Sequence, residues 1–101
     1  IIMPKGYLVG LVKITNQDDF TANYSTKVES VFAPFGGKFI VRTDSTSHHE
    51  GRHCDRYVIV EFPSLEQATQ AVESPAYQAI KPHRVNNSDI DYGSFMLLPG
   101  V

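Results

Sequence analysis

The chain has little of what most recognisable active sites are built from. Of its 101 residues only Cys54 is a cysteine, so no internal disulfide framework exists. No H-E-x-x-H or C-x-x-C spacing occurs, which removes the common zinc signatures. There is no phosphate-cradling loop, dinucleotide fingerprint or nucleophile elbow, and Gly36-Gly37 reads as a helix stop and turn. No apolar run approaches the roughly 20 residues of a membrane span. Basic residues are few and scattered, 9 Lys and Arg against 11 Asp and Glu for a net charge of −2. Neither nucleic acid nor a membrane is therefore an expected partner. The opening Ile1-Ile2-Met3-Pro4-Lys5 lacks the pattern of a signal peptide; Met3 reads as the natural start, and a cytoplasmic location is expected.

What is present is ordinary globular composition, 42% hydrophobic and 20% charged, enough for a single domain over residues 1–101 with one core. Gly6 to Ile14 is nearly continuously apolar with β-branched residues among it, and reads as a first strand. Thr15 or Asn16 can cap the helix that follows, with Asp18 and Asp19 favoured by the dipole of its first turn. Phe20, Tyr24, Val28, Val31, Phe32 and Phe35 form one wide apolar face of that helix, which Pro34 and the glycine pair end. Lys38 to Arg42 is a second strand, Thr43 to His53 a polar hairpin loop, and Arg56 to Phe62 a third strand. Ser64-Leu65-Glu66-Gln67 is a capping box. The helix restarts at Ser74-Pro75 and is expected to be interrupted at Pro82. Asn86 to Asp89 is a turn cluster, and Tyr92 to Leu98 the last strand. This order predicts an α+β, ferredoxin-like βαββαβ fold: an antiparallel four-stranded sheet with its helices on one face.

Two helices cover one face of such a sheet, yet neither face is polar. Tyr7, Val9 and Leu11 alternate with Leu8, Gly10 and Val12, and the third and fourth strands behave alike. Exposing a second apolar face would exceed the few hundred Å² that monomers usually tolerate. A homodimer packed through its sheet faces is the expected remedy, and a monomer with a patchy face is the alternative.

Four segments carry a family resemblance: Gly6-Tyr7, Phe35 through Arg42, Val58 through Ser64, and Ser74-Pro75-Ala76-Tyr77-Gln78 followed by Arg84. Over nearly its whole length the chain resembles the DUF1330 proteins of the dimeric α+β barrel superfamily. The resemblance implies a ferredoxin-like protomer that dimerises through its sheet, and no established activity. The wider superfamily includes cofactor-free monooxygenases, haem-degrading and chlorite-converting enzymes, muconolactone isomerases and stress-response proteins, so fold alone does not assign a function. The chain departs from the pattern in its longer, histidine-rich Thr43 to His53 segment, and in Ala71-Val72, where an aromatic pair is common.

Candidate chemistry is sparse. Arg42 and Arg84 are expected at a pocket between helices and sheet, where planar guanidinium forks would orient a carboxylate or enolate. The alternative is a structural ion pair for each, with Glu61 or Asp91. His83 is the candidate general base. Tyr24, Tyr77 and Phe39 would line the site, although core packing explains the tyrosines as well. His48, His49, His53 and Cys54 are the one cluster with metal-ligand chemistry. A solvated loop and a half-buried structural thiol explain them better, so neither a metal nor a cofactor is expected. The function expected is that of a homodimeric small-molecule-binding protein. By superfamily analogy it would be a cofactor-independent oxygenase or isomerase, the alternative being a non-catalytic ligand-sensing or protein-interaction module.

Overall fold

Tyr7, Val9 and Val12 supply the β propensity of Gly6–Val12, the seven residues that form β1 in the interior of the sheet. The computed structural model describes residues 4–101, so Met3 lies outside the described residues. β1 pairs antiparallel on one side with β3 (Arg56–Phe62) and on the other with β4 (Ser94–Pro99), while β2 (Lys38–Thr43) pairs with β3 at the edge. The strand order is β2-β3-β1-β4, the expected ferredoxin-like plan. The helical segments contribute the buried residues that face Leu8, Val60 and Phe62 across the core.

β1 is shorter than its apolar run because Val12 hands over to other partners. The Val12 carbonyl accepts the Asp55 N–H, and the Ile14 N–H donates to the Asp55 carboxylate at 2.9 Å. β4 starts late for a similar reason. The Asp89 carboxylate accepts the N–H groups of Asp91 and Tyr92, both at 3.1 Å, and holds Tyr92 in a turn.

The helical segment after β1 is not one regular helix. It comprises α1 (Gln17–Phe20, capped by the Asn16 side chain), a π turn (Thr21–Ser25), α2 (Val28–Phe32) and a 3-10 turn (Ala33–Phe35). Phe20, Tyr24, Val28 and Phe32 are all buried. Residues spaced by four advance about 40° per step around a 3.6-residue helix, so this row would drift off the core. One turn closed by the Thr26 N–H on the Thr21 carbonyl takes up an extra residue and offsets the drift. Gly36 then turns the chain at φ +79, and a Cβ there would lie 2.8 Å from the Pro63 ring.

α3 (Leu65–Glu73) begins at Ser64, whose hydroxyl accepts the Gln67 N–H. Its first turn lies directly on β1: a Cβ at Gly6 would sit 2.6 Å from the Leu65 Cα. Ser74 caps α4 (Pro75–Val85), accepting the Tyr77 N–H. Pro82 does not end this helix, contrary to the sequence expectation. It lies on the exposed side together with Gln78, whose carbonyl it leaves without the usual donor four residues on, and its own carbonyl accepts the Asn86 N–H at 2.8 Å. In the core, Tyr77 stacks on Phe32 with ring centroids 5.3 Å apart, and Phe62 meets Phe32 edge-on.

Candidate functional site

Between the first helical segment and the sheet lies an apolar cavity of about 40 Å³. Its floor is Leu8, Gly10, Val58 and Phe95, and its roof is Phe20, Tyr24, Val28 and Phe32. Gly10 leaves space here: a Cβ at this position would reach ordinary van der Waals distance of Val58 and Phe95, 3.9 and 4.0 Å away. The π turn supplies both Tyr24 and Ser25 to the lining.

Three arginines line the same cavity: Arg42, Arg56 and Arg84. Arg42 owes its place to a β-bulge. Phe39 pairs with Val60 on the helix side of the sheet, so strict alternation would turn Arg42 to the open face. The register slips between Phe39 and Val41, pairing Val41 with Ile59 and Arg42 with Val58, and this returns Arg42 to the cavity. Its guanidinium stacks over the Phe39 ring, 4.0 Å from the centroid, and pairs with exposed Glu29 at 3.4 Å. Arg56 faces the cavity because it stands opposite Val12 in register with Val58 and Val60. It donates to the Ser25 hydroxyl at 3.4 Å. Arg84 donates from Nε to the Tyr77 phenol at 3.1 Å and lies over the Phe95 ring, 4.2 Å from its centroid.

The structure therefore brings Arg42, Arg84, Tyr24 and Phe39 to one cavity, with Tyr77 directly behind them. It also answers the ion-pair alternative differently for each arginine. Glu61 pairs with Lys5, and the Asp91 carbonyl accepts from Arg52, so neither meets Arg42 or Arg84. Arg42 has Glu29. Among the described residues, Arg56 and Arg84 have no carboxylate at ion-pair distance.

His83 is not brought to the cavity. Its Nδ1 lies 3.4 Å from the Asp19 carboxylate, and neither residue lines the cavity. Asp19 also accepts from Asn87 and Asn23, and these hydrogen bonds hold its carboxyl below the ordinary value, with His83 adding to the effect. The sequence does not single out Arg56 or Ser25. The parity of Val58, Val60 and Phe62 could have flagged Arg56, and the four-residue steps from Phe20 to Phe32 are the one trace of the π turn that presents Ser25.

Tyr24 and Tyr77 join their phenols at 2.9 Å, and burial pushes the Tyr24 hydroxyl well above its ordinary range, so it is a neutral hydrogen-bonding group. In the loop between β2 and β3 the histidines are dispersed. His48 bonds the Gly51 carbonyl, His49 lies 3.3 Å from Ser47, and His53 packs edge-on against His48 and Tyr57. Among the described residues no group of three or more His, Cys, Asp and Glu converges on one point. Cys54 is buried, its thiol pushed up by burial and by Asp55. No helix among the described residues is long and apolar enough to cross a membrane.

The family model described as Domain of unknown function (DUF1330) matches residues 5–101. No curated protein matches the chain. Among solved structures, the RPA0582 protein of unknown function from Rhodopseudomonas palustris superposes with a TM-score of 0.76 at 18% identity, over 98% of this chain and 84% of that one. SnoaB, a cofactor-independent oxygenase from Streptomyces nogalater, superposes with a TM-score of 0.64 at 13% identity, over 94% and 91%. A nipsnap family protein of unknown function from Agrobacterium tumefaciens gives 0.58 at 13% identity, over 99% and 90%. At these identities the likeness is one of fold, the four-stranded antiparallel sheet with helices on one face.

Proposed function

The chain belongs to the DUF1330 family, and from that footing we propose that it is a homodimeric protein that binds a small organic anion in the cavity between helices and sheet. The observation that carries this reading is that Arg56 and Arg84 line an apolar cavity and have no carboxylate partner among the described residues. A guanidinium beside apolar surface is costly unless its charge and donors are met, and a planar carboxylate or enolate meets both. Arg42, Arg56 and Arg84 would hold the anionic group, with Tyr24, Phe39 and Phe95 against the ligand's apolar part. The dimer reading rests on the opposite face of the sheet, where Tyr7, Val9, Ile40, Ile59 and Leu98 form a shallow apolar depression that no helix among the described residues covers.

Cofactor-independent oxygenation or isomerisation is the second reading. The Arg84–Tyr77–Tyr24 hydrogen-bonded chain favours it, because such donors stabilise an enolate oxygen. Proton abstraction also needs a base, and among the described residues no His, Asp or Glu lines the cavity. Binding is therefore the reading that the geometry supports better.

Calorimetric titration at fixed ionic strength, comparing carboxylates with their neutral amides (butyrate with butyramide, pentanoate with pentanamide), tests it. The acids should bind and the amides should not. Arg84→Gln should weaken acid binding by about tenfold or more, the loss of a charge-assisted bidentate pair. Amides that bind as well as the acids would overturn the reading.

A further inference from the structure

The charges around the cavity do not balance, and the imbalance has a definite size. Arg42 is offset by Glu29 at 3.4 Å. Arg56 meets only the neutral Ser25 hydroxyl, and Arg84 only neutral groups, the Tyr77 and Tyr24 phenols and the Phe95 ring. No acidic residue lines the cavity among those described. Two guanidinium charges thus stand beside apolar walls without counter-charge. One monoanion would compensate only one of them.

We infer that the ligand is a small dianion, two anionic groups joined by a short apolar bridge, with one group on Arg56, the other on Arg84, and the bridge in the cavity. This rests on the reading that the cavity binds an organic anion, and adds its charge and size. The two arginines reach the cavity from different elements, Arg56 at the start of β3 and Arg84 in the last turn of α4. Each fork is separately positioned, by the Ser25 hydroxyl and by the Tyr77 phenol. Arg84 presents its remaining donors because only Nε is engaged by Tyr77. The volume sets the bridge. At about 10–15 Å³ per water-sized occupant, a cavity of about 40 Å³ holds about three. That suits the methylene chain of a dicarboxylate such as succinate or glutarate and excludes a fused ring. Gly10 contributes to this room, since any larger side chain there would project into the same space.

The test compares dianions with monoanions of equal length: glutarate with pentanoate and succinate with butyrate, by calorimetry at neutral pH and constant ionic strength, with sulfate as an inorganic dianion. Glutarate or succinate should bind about tenfold or more tighter than its monoanionic partner, the worth of a second charge-assisted pair. In Arg56→Gln and Arg84→Gln separately, that advantage should fall to within about twofold, because each variant leaves one fork to one carboxylate. Arg56→Lys and Arg84→Lys, which keep charge and fold, should retain part of it. Equal binding of dianion and monoanion would overturn the inference and leave the anion-binding reading standing. Sulfate binding as tightly as glutarate would also overturn it, since the bridge would then contribute nothing. Absence of binding by every acid tested would remove both.

Discussion

The phenol oxygens of Tyr24 and Tyr77 lie 2.9 Å apart in the core, and the Tyr77 oxygen also accepts from Arg84 Nε at 3.1 Å. Tyr77 is therefore the hub of the chain and Tyr24 one of its ends. Removing the hub hydroxyl leaves a buried phenol and a guanidinium short of a partner together. Removing the end leaves Tyr77 with Arg84. Tyr77→Phe should cost about 2–3 kcal/mol and Tyr24→Phe about 1 kcal/mol, on the usual scale for buried hydrogen bonds. Urea denaturation of both variants and of the double mutant measures the difference. Equal costs would mean that Arg84 does not depend on Tyr77.

The Tyr24 hydroxyl also sets an alkaline limit. Its ordinary value is 10.0, and burial raises it well above that in the folded protein, with Tyr77 adding to the effect. Above about pH 10 the unfolded chain releases this proton while the folded chain keeps it, so stability falls as pH rises. The slope from one such group is at most about 1.4 kcal/mol per pH unit. Denaturation midpoints across the alkaline range should fall less steeply for Tyr24→Phe than for the unaltered chain.

At the acid end the sign reverses. Hydrogen bonds from Asn87 and Asn23 hold the Asp19 carboxyl below 3.8, so its contribution is present above that value and is lost as pH falls through the folded value. Asn87→Ala removes the largest of these causes. The carboxyl carbon of Asp19, followed by NMR, should then titrate at higher pH than in the unaltered chain. His83→Ala should move it the same way by less, because the imidazole is the weaker influence.

Gly10 offers a test of cavity occupancy that leaves the arginines untouched. A Cβ there meets nothing closer than 3.9 Å, so Gly10→Ala should fold, gaining about 0.5–1 kcal/mol from a stiffer strand. Gly10→Leu should fill the cavity and abolish binding of the acids while the protein remains folded by circular dichroism. Full binding by Gly10→Leu would place the anion elsewhere.

How far the sequence could be read depended on whether the information was periodic. Alternation in Val58, Val60 and Phe62 against Tyr57, Ile59 and Glu61 fixed the sidedness of β3, and by the same parity Arg56 belongs with the inward set. Arg42 is the opposite case. Counting by twos from Phe39 sends it outward, and only the slipped register after Phe39 brings it in, a local distortion with no compositional mark. The π turn at Thr21–Ser25 leaves a faint mark, the unbroken four-residue steps from Phe20 to Phe32 that a regular helix would carry off the core. His83 and Arg84 look like one site because they are adjacent. Successive helical residues point about 100° apart, so Arg84 turns to the cavity and His83 to Asp19. Pro82 stopped the helix on paper because its own missing N–H is visible in the sequence, whereas the exposure that makes the loss tolerable is not.

The open face of the sheet gives the last prediction. Ile40, Met96 and Leu98 are 46%, 39% and 43% exposed, and Val9 stands opposite Ile59 between them. A sheet face of this composition packs well against a copy of itself, since paired twisted sheets bury alternate side chains across a two-fold axis. Sedimentation should therefore find a dimer. Ile59→Glu puts a charge at the centre of that face without touching the cavity, whose lining comes from the other set of alternating residues. Burying an unpaired carboxylate in an apolar contact costs several kcal/mol, enough to dissociate the dimer at micromolar concentration. If the isolated Ile59→Glu protomer still binds acids, cavity and interface are independent; if binding is lost with the dimer, the sheet contact supports the strands that carry Arg42 and Arg56. A monomer in the unaltered chain would show instead that this apolar face is tolerated in water.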